Sequence, residues 1–569
     1  MKTNVMQIRV LLLSLVLWSA SGVVHAGGYV QGSKVLTQAN SVQLSGTVSA
    51  VTTFNNATLT DQNTIAEVHN DLVKTPSTSD PVSTVTGNNY HDETDLLIKG
   101  RGINYAFTRT YNSAPSATKV DKGLGYGWVH SYGMRLKSND YGRCPNCTPA
   151  QDAANGNGKT ASITYTDERG GDHNYLLNEA SFAVTAPQGE FDVLALDTPS
   201  PGQHTLTFRN GVRYVFETVG AGSLKTTPGL VARLKQIADP WGNHLNFSYD
   251  LNGRLSGVTD NLTIAGRTGL VLAYDVAGHL STLTDWSGRV WRYVVDGGGN
   301  LTTYTNPLLQ TLTYTYVTGT HNLNQIQKPL RSVRTTFNYY QNGRTFNYSD
   351  SLGNTETLDY DLYRRSTRVT DARSGIRSYE YDAAGRLTKL TEPDGAILQF
   401  QNQADGLRYA KSDGLGFPTQ YSYRNDKTFN TASDTFGNVT REQDALNQTV
   451  DTIYGPFDQV ASVKDKRGAV RTTSFHATTD GVCKVVGKPD TVSLSALTLT
   501  SGALVSNVKL ASYCWNNDGT PRSRTDYLDA SNVTKTRVTT IVYETAAHLN
   551  VQSVTVTGWD GTNVTKSYT

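Results

Sequence analysis

From residue 81 onward, short apolar runs alternate with polar residues, and glycine clusters separate the runs, a pattern that predicts half-buried β-strands joined by tight turns. No stripe at i, i+3, i+4, i+7 lasts beyond about two helical turns, so no helix is expected in the body of the chain. The turns repeat. One element is aromatic-Asp-x-x-Gly-Arg-Leu, read as Y-D-L-N-G-R-L at 249–255, Y-D-V-A-G-H-L at 274–280 and Y-D-A-A-G-R-L at 381–387. Weaker copies are V-D-G-G-G-N-L at 295–301, Y-Q-N-G-R at 340–344 and Y-D-L-Y-R-R-S at 360–366. The second is Thr/Ser-Asp-x-x-Gly-Asn/Arg, as in T-D-W-S-G-R at 284–289, S-D-S-L-G-N at 349–354 and S-D-T-F-G-N at 433–438. Asp350, Asp371, Glu392, Asp413 and Asp434 recur every 21 residues, and Asp239, Asp260, Asp285 and Asn306 precede them at steps of 21, 25 and 21.

In D-x-x-G the carboxylate accepts a backbone N–H two residues on, and the glycine adopts the positive φ that closes a three-residue hairpin loop with a bulge. Six such turns are predicted: Asp250 with Gly253, Asp275 with Gly278, Asp285 with Gly288, Asp350 with Gly353, Asp382 with Gly385, and Asp434 with Gly437. Alternating about ten residues apart, they leave strands of about six residues. The result is a long antiparallel meander, with Tyr and Leu packing on one face and the Arg or Asn after each glycine pointing outward.

Residues 1–26 read as a secretory leader: Lys2 and Arg9, then V-L-L-L-S-L-V-L-W at 10–18, then a Val24-His25-Ala26 cleavage site. No later run is apolar enough for a membrane-spanning helix. Without Lys2 and Arg9, the 51 Lys and Arg fall to 49 and balance the 49 Asp and Glu, so the charge gives no footprint for nucleic acid. The 31 Tyr and 51 Gly fit strands and turns. Export permits disulfides, and the four cysteines are expected to pair as Cys144–Cys147 and Cys483–Cys514, since one C-x-x-C without a nearby His is half a zinc site.

The Y-D-x-x-G-R-L units resemble the YD repeats of RHS and teneurin-like proteins. Upstream, P-V-x-x-x-T-G at 81–87, T-D-L at 94–96, G-R-G at 100–102, R-T-Y-N-S at 109–113 and G-L-G-Y-G-W at 123–128 resemble the module that precedes the repeats in bacterial RHS proteins. The chain then divides into the leader (1–26), a Ser/Thr/Asn-rich stalk or short strands (27–80), the RHS N-terminal module and a following β segment (81–230), the YD-repeat array (231–470) and a degenerate β segment (471–569). The expected fold is all-β, a meander curling into an open or partial β-shell with a small N-terminal β module.

The resemblance implies a hollow shell enclosing a toxic segment released by self-cleavage. Here the chain ends at Thr569 in strand-like sequence, so the closing core and toxin are expected to be missing and encoded separately. The expected role is an exported, non-enzymatic shell or scaffold of a polymorphic-toxin or cell-surface system, located in the periplasm or outside the cell. The alternative is a secreted adhesin binding carbohydrate or neighbouring cells through Trp241, Trp286, Trp291, Trp515 or Trp559. No cofactor, metal or nucleic-acid partner is expected. Gly158-Lys159-Thr160 lacks the first glycine of a P-loop. Gly123-Leu124-Gly125-Tyr126-Gly127 reads as a tight turn beneath Trp128 rather than a dinucleotide loop. His91, Asp92, Glu93 and Asp95 read as a solvated turn in front of a strand starting near Leu96 rather than a cation site. No G-x-S-x-G or H-E-x-x-H motif is present.

Overall fold

The structure, a computed structural model, describes residues 82–114, 118–140, 160–178, 180–262, 264–329, 334–435, 437–498, 504–528, 535–545 and 547–568. The leader, the stalk, Cys144–Cys147 and Gly158-Lys159 lie outside these residues. The described chain is all-β apart from a single 3₁₀ turn at Pro456–Asp458. A three-stranded sheet, Tyr90–Ile98, Tyr105–Asn112 and Trp128–His130, precedes an antiparallel sheet of 35 strands that runs in sequence order from Arg135–Asp140 to Asn563–Ser567.

That sheet forks at Val231–Ala238. One edge of this strand pairs with Arg213–Thr218. On the other edge Val231, Ala232 and Arg233 pair back to Lys137, Leu136 and Arg135, while Gln236, Ile237 and Ala238 pair forward to Asn246, Leu245 and His244. The strands before the fork are thereby rolled back on themselves, and the meander starts from the fork. Its last strand pairs with Val551–Thr557, and no pairing among the described residues closes the long sheet through it.

The repeat motif follows from the hydrogen bonds. At Asp250 the carboxylate accepts from the backbone N–H of Asn252 and Arg254, both at 2.9 Å, and Gly253, at φ 77°, donates to the Asp250 carbonyl. The two turn families differ in register. Strand pairs closed by the aromatic-Asp element at Tyr249, Tyr274 and Tyr381 carry a second bulge at the aromatic position, whereas the weaker copy at Tyr360 does not. Those closed by the Thr/Ser-Asp element at Asp285 and Asp350 lack this second bulge and carry the expected one at the glycine, where Gly288 and Gly353 donate to the Asp285 and Asp350 carbonyls while the aspartate N–H reaches the carbonyl of Arg289 or Asn354. A bulge places residues i and i+3 of the exit strand on one face. Leu255 with Val258, Leu280 with Leu283 and Leu323 with Ile326 are all buried accordingly.

The motif tyrosine ties each hairpin to the one before it. Its hydroxyl donates to the carbonyl of the first residue of the strand leaving the preceding turn: Tyr274 to Leu255 at 2.8 Å, Tyr316 to Leu301 at 2.7 Å, Tyr339 to Leu323 at 2.8 Å and Tyr360 to Thr345 at 2.9 Å, while Tyr381 donates instead to Thr84 Oγ1 at 2.6 Å. The motif arginine does not point away, as the simple alternation suggests. Arg254 turns back to Asp250 at 2.8 Å and lies 4.6 Å from the ring centre of Tyr274, and Arg289 and Arg386 bind Asp285 and Asp382 in the same way. A carboxylate fixed by two backbone N–H groups is a ready partner for the guanidinium, and the next tyrosine offers it a π face. Tyr274→Phe removes one tie without opening space, and is expected to cost about 1 kcal/mol in urea unfolding, the worth of one hydrogen bond.

Candidate functional site: the plugged face and its seam

The three-stranded sheet covers one face of the meander, and the two share one core. Val82, Tyr105, Phe107, Tyr111 and Trp128 are buried with Trp291, Tyr314, Leu323, Phe337 and Leu358. The Tyr111 hydroxyl accepts from the Leu323 N–H and donates to the His321 carbonyl, both at 2.8 Å. Trp128 Nε1 donates to the Tyr316 hydroxyl at 2.8 Å, and the Thr345 N–H to the Gly87 carbonyl. Following cross-strand partners from Leu390, the same face continues through Leu398, Phe400, Lys411, Tyr421, Glu442, Val463 and Arg471 to Asp526 and Arg537. The module's core cluster stops at Leu387, with Leu390 and Phe400 packed at its edge. Farther along, the second cluster comprises Leu407, Tyr421 and Tyr423, and the face carries charge.

The hub of the plugged half is an ion pair. Arg109 is fully buried and Asp95 is 1% exposed; Nε and Nη2 of Arg109 bind the two carboxylate oxygens at 2.6 and 2.8 Å. Tyr293 donates to Asp95 at 2.8 Å, and Arg109 Nη1 reaches the Tyr314 hydroxyl at 3.1 Å. The guanidinium lies 4.3 Å from the Tyr304 ring centre and 5.3 Å from that of Trp128. Burial pushes the Asp95 carboxyl up despite Arg109, and burial of Arg109 is outweighed by Asp95, which holds the guanidinium above its ordinary range. Asp95 is brought there by a bulge between Thr94 and Leu96. His91 to Asp95 therefore lie inside the strand Tyr90–Ile98, not in a solvated turn before it. Their carboxylates are engaged: Glu93 with His91, Asp92 with Thr110 and Arg169, Asp95 with Arg109. No cluster of metal-ligating side chains occurs among the described residues.

The glycine-rich loop is a docking element. Gly123, Gly125 and Gly127 all have positive φ. Leu280 donates to the Gly123 carbonyl at 2.7 Å and Tyr126 to the Gly299 carbonyl at 2.8 Å, so the loop lies on the repeat turn at Asp296.

A second contact region joins the start of the meander to distant turns. Trp241, on the turn after Asp239, donates from Nε1 to the Val486 carbonyl at 3.1 Å. Lys488 Nζ sits 3.4 Å from the Trp241 ring centre and 4.8 Å from that of Trp515, and burial lowers its pKa to about 8. Asn243 donates to the Asp518 carbonyl, and Asp518 pairs with Arg101 at 3.3 Å and His548 at 2.7 Å. The sheet therefore winds back on itself, and these turns form a seam between its beginning and residues 457–548.

Five of the six predicted turns share one backbone geometry, in which the glycine N–H donates to the aspartate carbonyl. Gly253 bonds to Asp250 at 2.9 Å, Gly278 to Asp275 at 3.1 Å, Gly288 to Asp285 at 3.0 Å, Gly353 to Asp350 at 3.1 Å and Gly385 to Asp382 at 3.1 Å. The φ angles are 94° at Gly278, 83° at Gly288, 84° at Gly353 and 79° at Gly385. These residues are not gathered into a common site: each Asp and Gly belongs to its own hairpin. A Cβ at Gly253, Gly288 or Gly353 would meet nothing within 4 Å, one at Gly278 would lie 3.8 Å from Arg254, and one at Gly385 would lie 3.4 Å from Val85. Gly278, Gly288, Gly353 and Gly385 therefore serve backbone closure, and of the four Gly385 alone also approaches the N-terminal module.

The turn at Asp434 and Gly437 departs from this pattern. Asp434 accepts the Asn425 N–H at 2.8 Å, and Ser433 Oγ takes the N–H groups of Thr435 and Gly437. Asp434 has been drawn toward Asn425 and Arg424 within residues 423–440, the connection between strands Pro418–Ser422 and Arg441–Gln443. In Y-Q-N-G-R the motif position also shifts: Tyr340 occupies the aspartate position, its N–H and carbonyl closing the turn with Arg344 and Gly343, and Tyr339 is the tie to Leu323. Cys483 and Cys514 form a disulfide. Trp291 is buried, Trp286 and Trp515 are partly buried, and Trp559 is 63% exposed. Lys488 carried no motif in the sequence, and Arg109 opens R-T-Y-N-S, which marked the module and not the ion pair. Their signal is a long cation whose aromatic neighbours lie far away along the chain.

Two histidines, His204 buried and His130 half-buried, set an acid limit. The Nδ1 atoms of His130 and His204 accept backbone N–H groups from Tyr132 and Asp197, so both rings are neutral, and burial lowers both pKa values to about 4. A depressed histidine pKa gives stability that is complete above the ordinary 6.5 and lost as pH falls through about 4. His173 is the opposite case. Burial works against its charge, but hydrogen bonds to Asp167 and Glu190 outweigh it and raise its pKa to about 10. Its contribution is complete below pH 6.5 and lost as pH rises through about 10. Thermal melts from pH 4 to 10 are expected to peak near neutrality and fall on both sides.

Residues 350–397 match the family described as RHS Repeat, and residues 79–174 match a domain of unknown function, DUF6531. A curated relative, double-stranded DNA deaminase toxin A of Burkholderia cenocepacia (strain H111), is 25% identical over 314 residues; the match covers 51% of this chain and 18% of that protein. Among solved structures, TcdB2-TccC3 without its hypervariable C-terminal region aligns with 84% of this chain and 27% of its own, at 10% identity and TM-score 0.42. The Photorhabdus luminescens Tc holotoxin pore aligns with 84% and 25% at 12% identity and TM-score 0.35.

Proposed function

We propose, from the premise that this chain is an RHS/YD-repeat protein, that it is an exported, non-enzymatic wall of a containment shell in a toxin-related system. The observation that carries the proposal is one continuous sheet face, filled by the chain's own N-terminal module up to about Leu390 and carrying on beyond it without that module. The module nucleates and seals one end of the wall. The remaining face is the surface for a polypeptide, such as a closing core or toxin segment. Buried charges in the plugged half are paired with one another, which suits a rigid scaffold. Cryo-electron microscopy of the full chain tests this: a lumen bounded by residues 397–568 is expected, and a solid particle with both faces of that segment packed or solvated rules the proposal out. A second reading, an adhesin for cell-surface glycans, is favoured by the exposed Trp559 alone. It requires glycan-array binding that Trp559→Ala abolishes.

A further inference from the structure

The Cys483–Cys514 disulfide bridges a sequence separation of 31 residues, and both cysteines are half-buried rather than enclosed. It pins a loop that is pinched at its base, where the His476 N–H donates to the Lys488 carbonyl and the Gly487 N–H to the His476 carbonyl, both at 2.9 Å. Its other tethers are the Trp515 N–H to the Cys483 carbonyl at 2.9 Å, Arg522 to the Val482 carbonyl at 2.7 Å and Gln459 Nε2 to the Gly487 carbonyl at 2.6 Å. Of the loop's three valines only Val485 is buried, while Val482 is 63% and Val486 45% exposed. Yet it supplies two of the seam's central contacts, the Val486 carbonyl that receives Trp241 and the Lys488 ammonium held between Trp241 and Trp515. Both Trp515 and Lys488 thus adjoin residues of the crosslinked pair: Trp515 follows Cys514 directly, and Lys488 lies five residues after Cys483.

We propose that Cys483–Cys514 is a thiol–disulfide exchange site, and that its reduction unfastens the seam between the turn at Trp241 and the loop carrying Lys488. The proposal stands on the seam geometry and does not depend on the containment reading. The co-reactant is a low-molecular-weight thiol or a dithiol protein. Its thiolate attacks one sulfur and forms a mixed disulfide, displacing the other cysteine as thiolate; a second thiol of the reductant then resolves the mixed disulfide. Two electrons pass to the protein, both cysteine sulfurs end as thiols, and the reductant leaves as its own disulfide. With the covalent pin gone, the loop is held by its pinched base, by the bonds from Trp515, Arg522 and Gln459, and by one buried apolar side chain, Val485. Segments of that kind open locally without global unfolding. A wall assembled in an oxidising compartment then holds its seam, and loosens it in a reducing one.

The test uses the full chain carrying Cys144→Ser and Cys147→Ser, so that 483–514 is the one reducible bond left among its four cysteine positions. Hydrogen exchange is followed by mass spectrometry before and after treatment with dithiothreitol, with alkylation of two thiols confirming reduction. Exchange at residues 239–243 and 480–488 is expected to accelerate about tenfold or more, reversing on reoxidation, while strands Leu280–Thr284 and Leu301–Thr305 are unchanged. The oxidised Lys488→Met variant should accelerate 239–243 without reduction. Unchanged exchange in fully alkylated protein overturns the proposal. So does acceleration spread equally over the whole chain, which marks the bond as a global staple.

Discussion

Asp95→Ala destabilises the plugged half by about 3–5 kcal/mol, because it strands a fully buried guanidinium. In the native protein both Asp95 oxygens are used by Arg109, and Tyr293 completes the set. Alanine leaves Arg109 with the Tyr314 hydroxyl and the ring faces of Tyr304 and Trp128, which do not replace an anion. Removing both charges behaves differently. Asp95→Leu with Arg109→Met fills similar space with groups that need no partner, and the double variant is expected within about 2 kcal/mol of the native protein. Urea unfolding of the two single variants and the double variant measures the coupling. If Asp95→Ala costs no more than an exposed substitution, the pair is not the hub described.

Gly125→Val is expected to cost about 2–5 kcal/mol and to detach the glycine-rich loop from the repeat turn at Asp296. Two effects add. Gly125 sits at φ 89°, where a β-branched residue is strained by about 1–2 kcal/mol. A Cβ there would also lie 2.8 Å from the Gly299 carbonyl oxygen and 2.9 Å from the Leu301 nitrogen, both backbone atoms that cannot swing aside. Forced separation of well-packed backbones costs about another 1–3 kcal/mol. Gly123→Ala is the matched control, since its added Cβ meets nothing within 4 Å and only the backbone strain remains. Limited proteolysis within residues 119–127 separates the two: the Gly125 variant is cut faster, the Gly123 variant nearly as the native chain.

The meander was legible because its information is local. The D-x-x-G spacing encodes a turn that closes with four residues and one carboxylate, so Asp250, Asp285 and Asp382 sit where the sequence put them. The second bulge was less legible: Gly278 and Gly288 close turns of the same backbone form, yet an added bulge at the aromatic position accompanies the first and not the second. Asp434 shows a further limit. Its local pattern is intact, but Asn425 and Arg424 compete for the carboxylate, and a competing partner leaves no trace in a motif. The same limit hid the hub. Asp95 faces Arg109 only because a bulge turns it there, and the rings around the pair come from strands near residues 293–314, some 200 positions away. Residues 91–95 therefore looked like a polar turn. The tyrosine ties lay between these extremes: the alternation placed the rings on one face, but nothing in it required a hydroxyl. The requirement is visible only once the rings of Tyr274, Tyr316, Tyr339 and Tyr360 are seen to end on a strand-entry carbonyl of the previous hairpin.

Those ties also have a direction. Tyr274, Tyr316, Tyr339 and Tyr360 all reach toward the N-terminus, so for these ties a hairpin needs only what has already been made. A chain delivered amino end first, whether from a ribosome or through a translocation pore, can lay down each unit on a finished template without waiting for later sequence. Traction on the carboxyl end meets the reverse order: the newest unit peels away while every older one keeps its own anchor, so the ribbon yields stepwise like a zip.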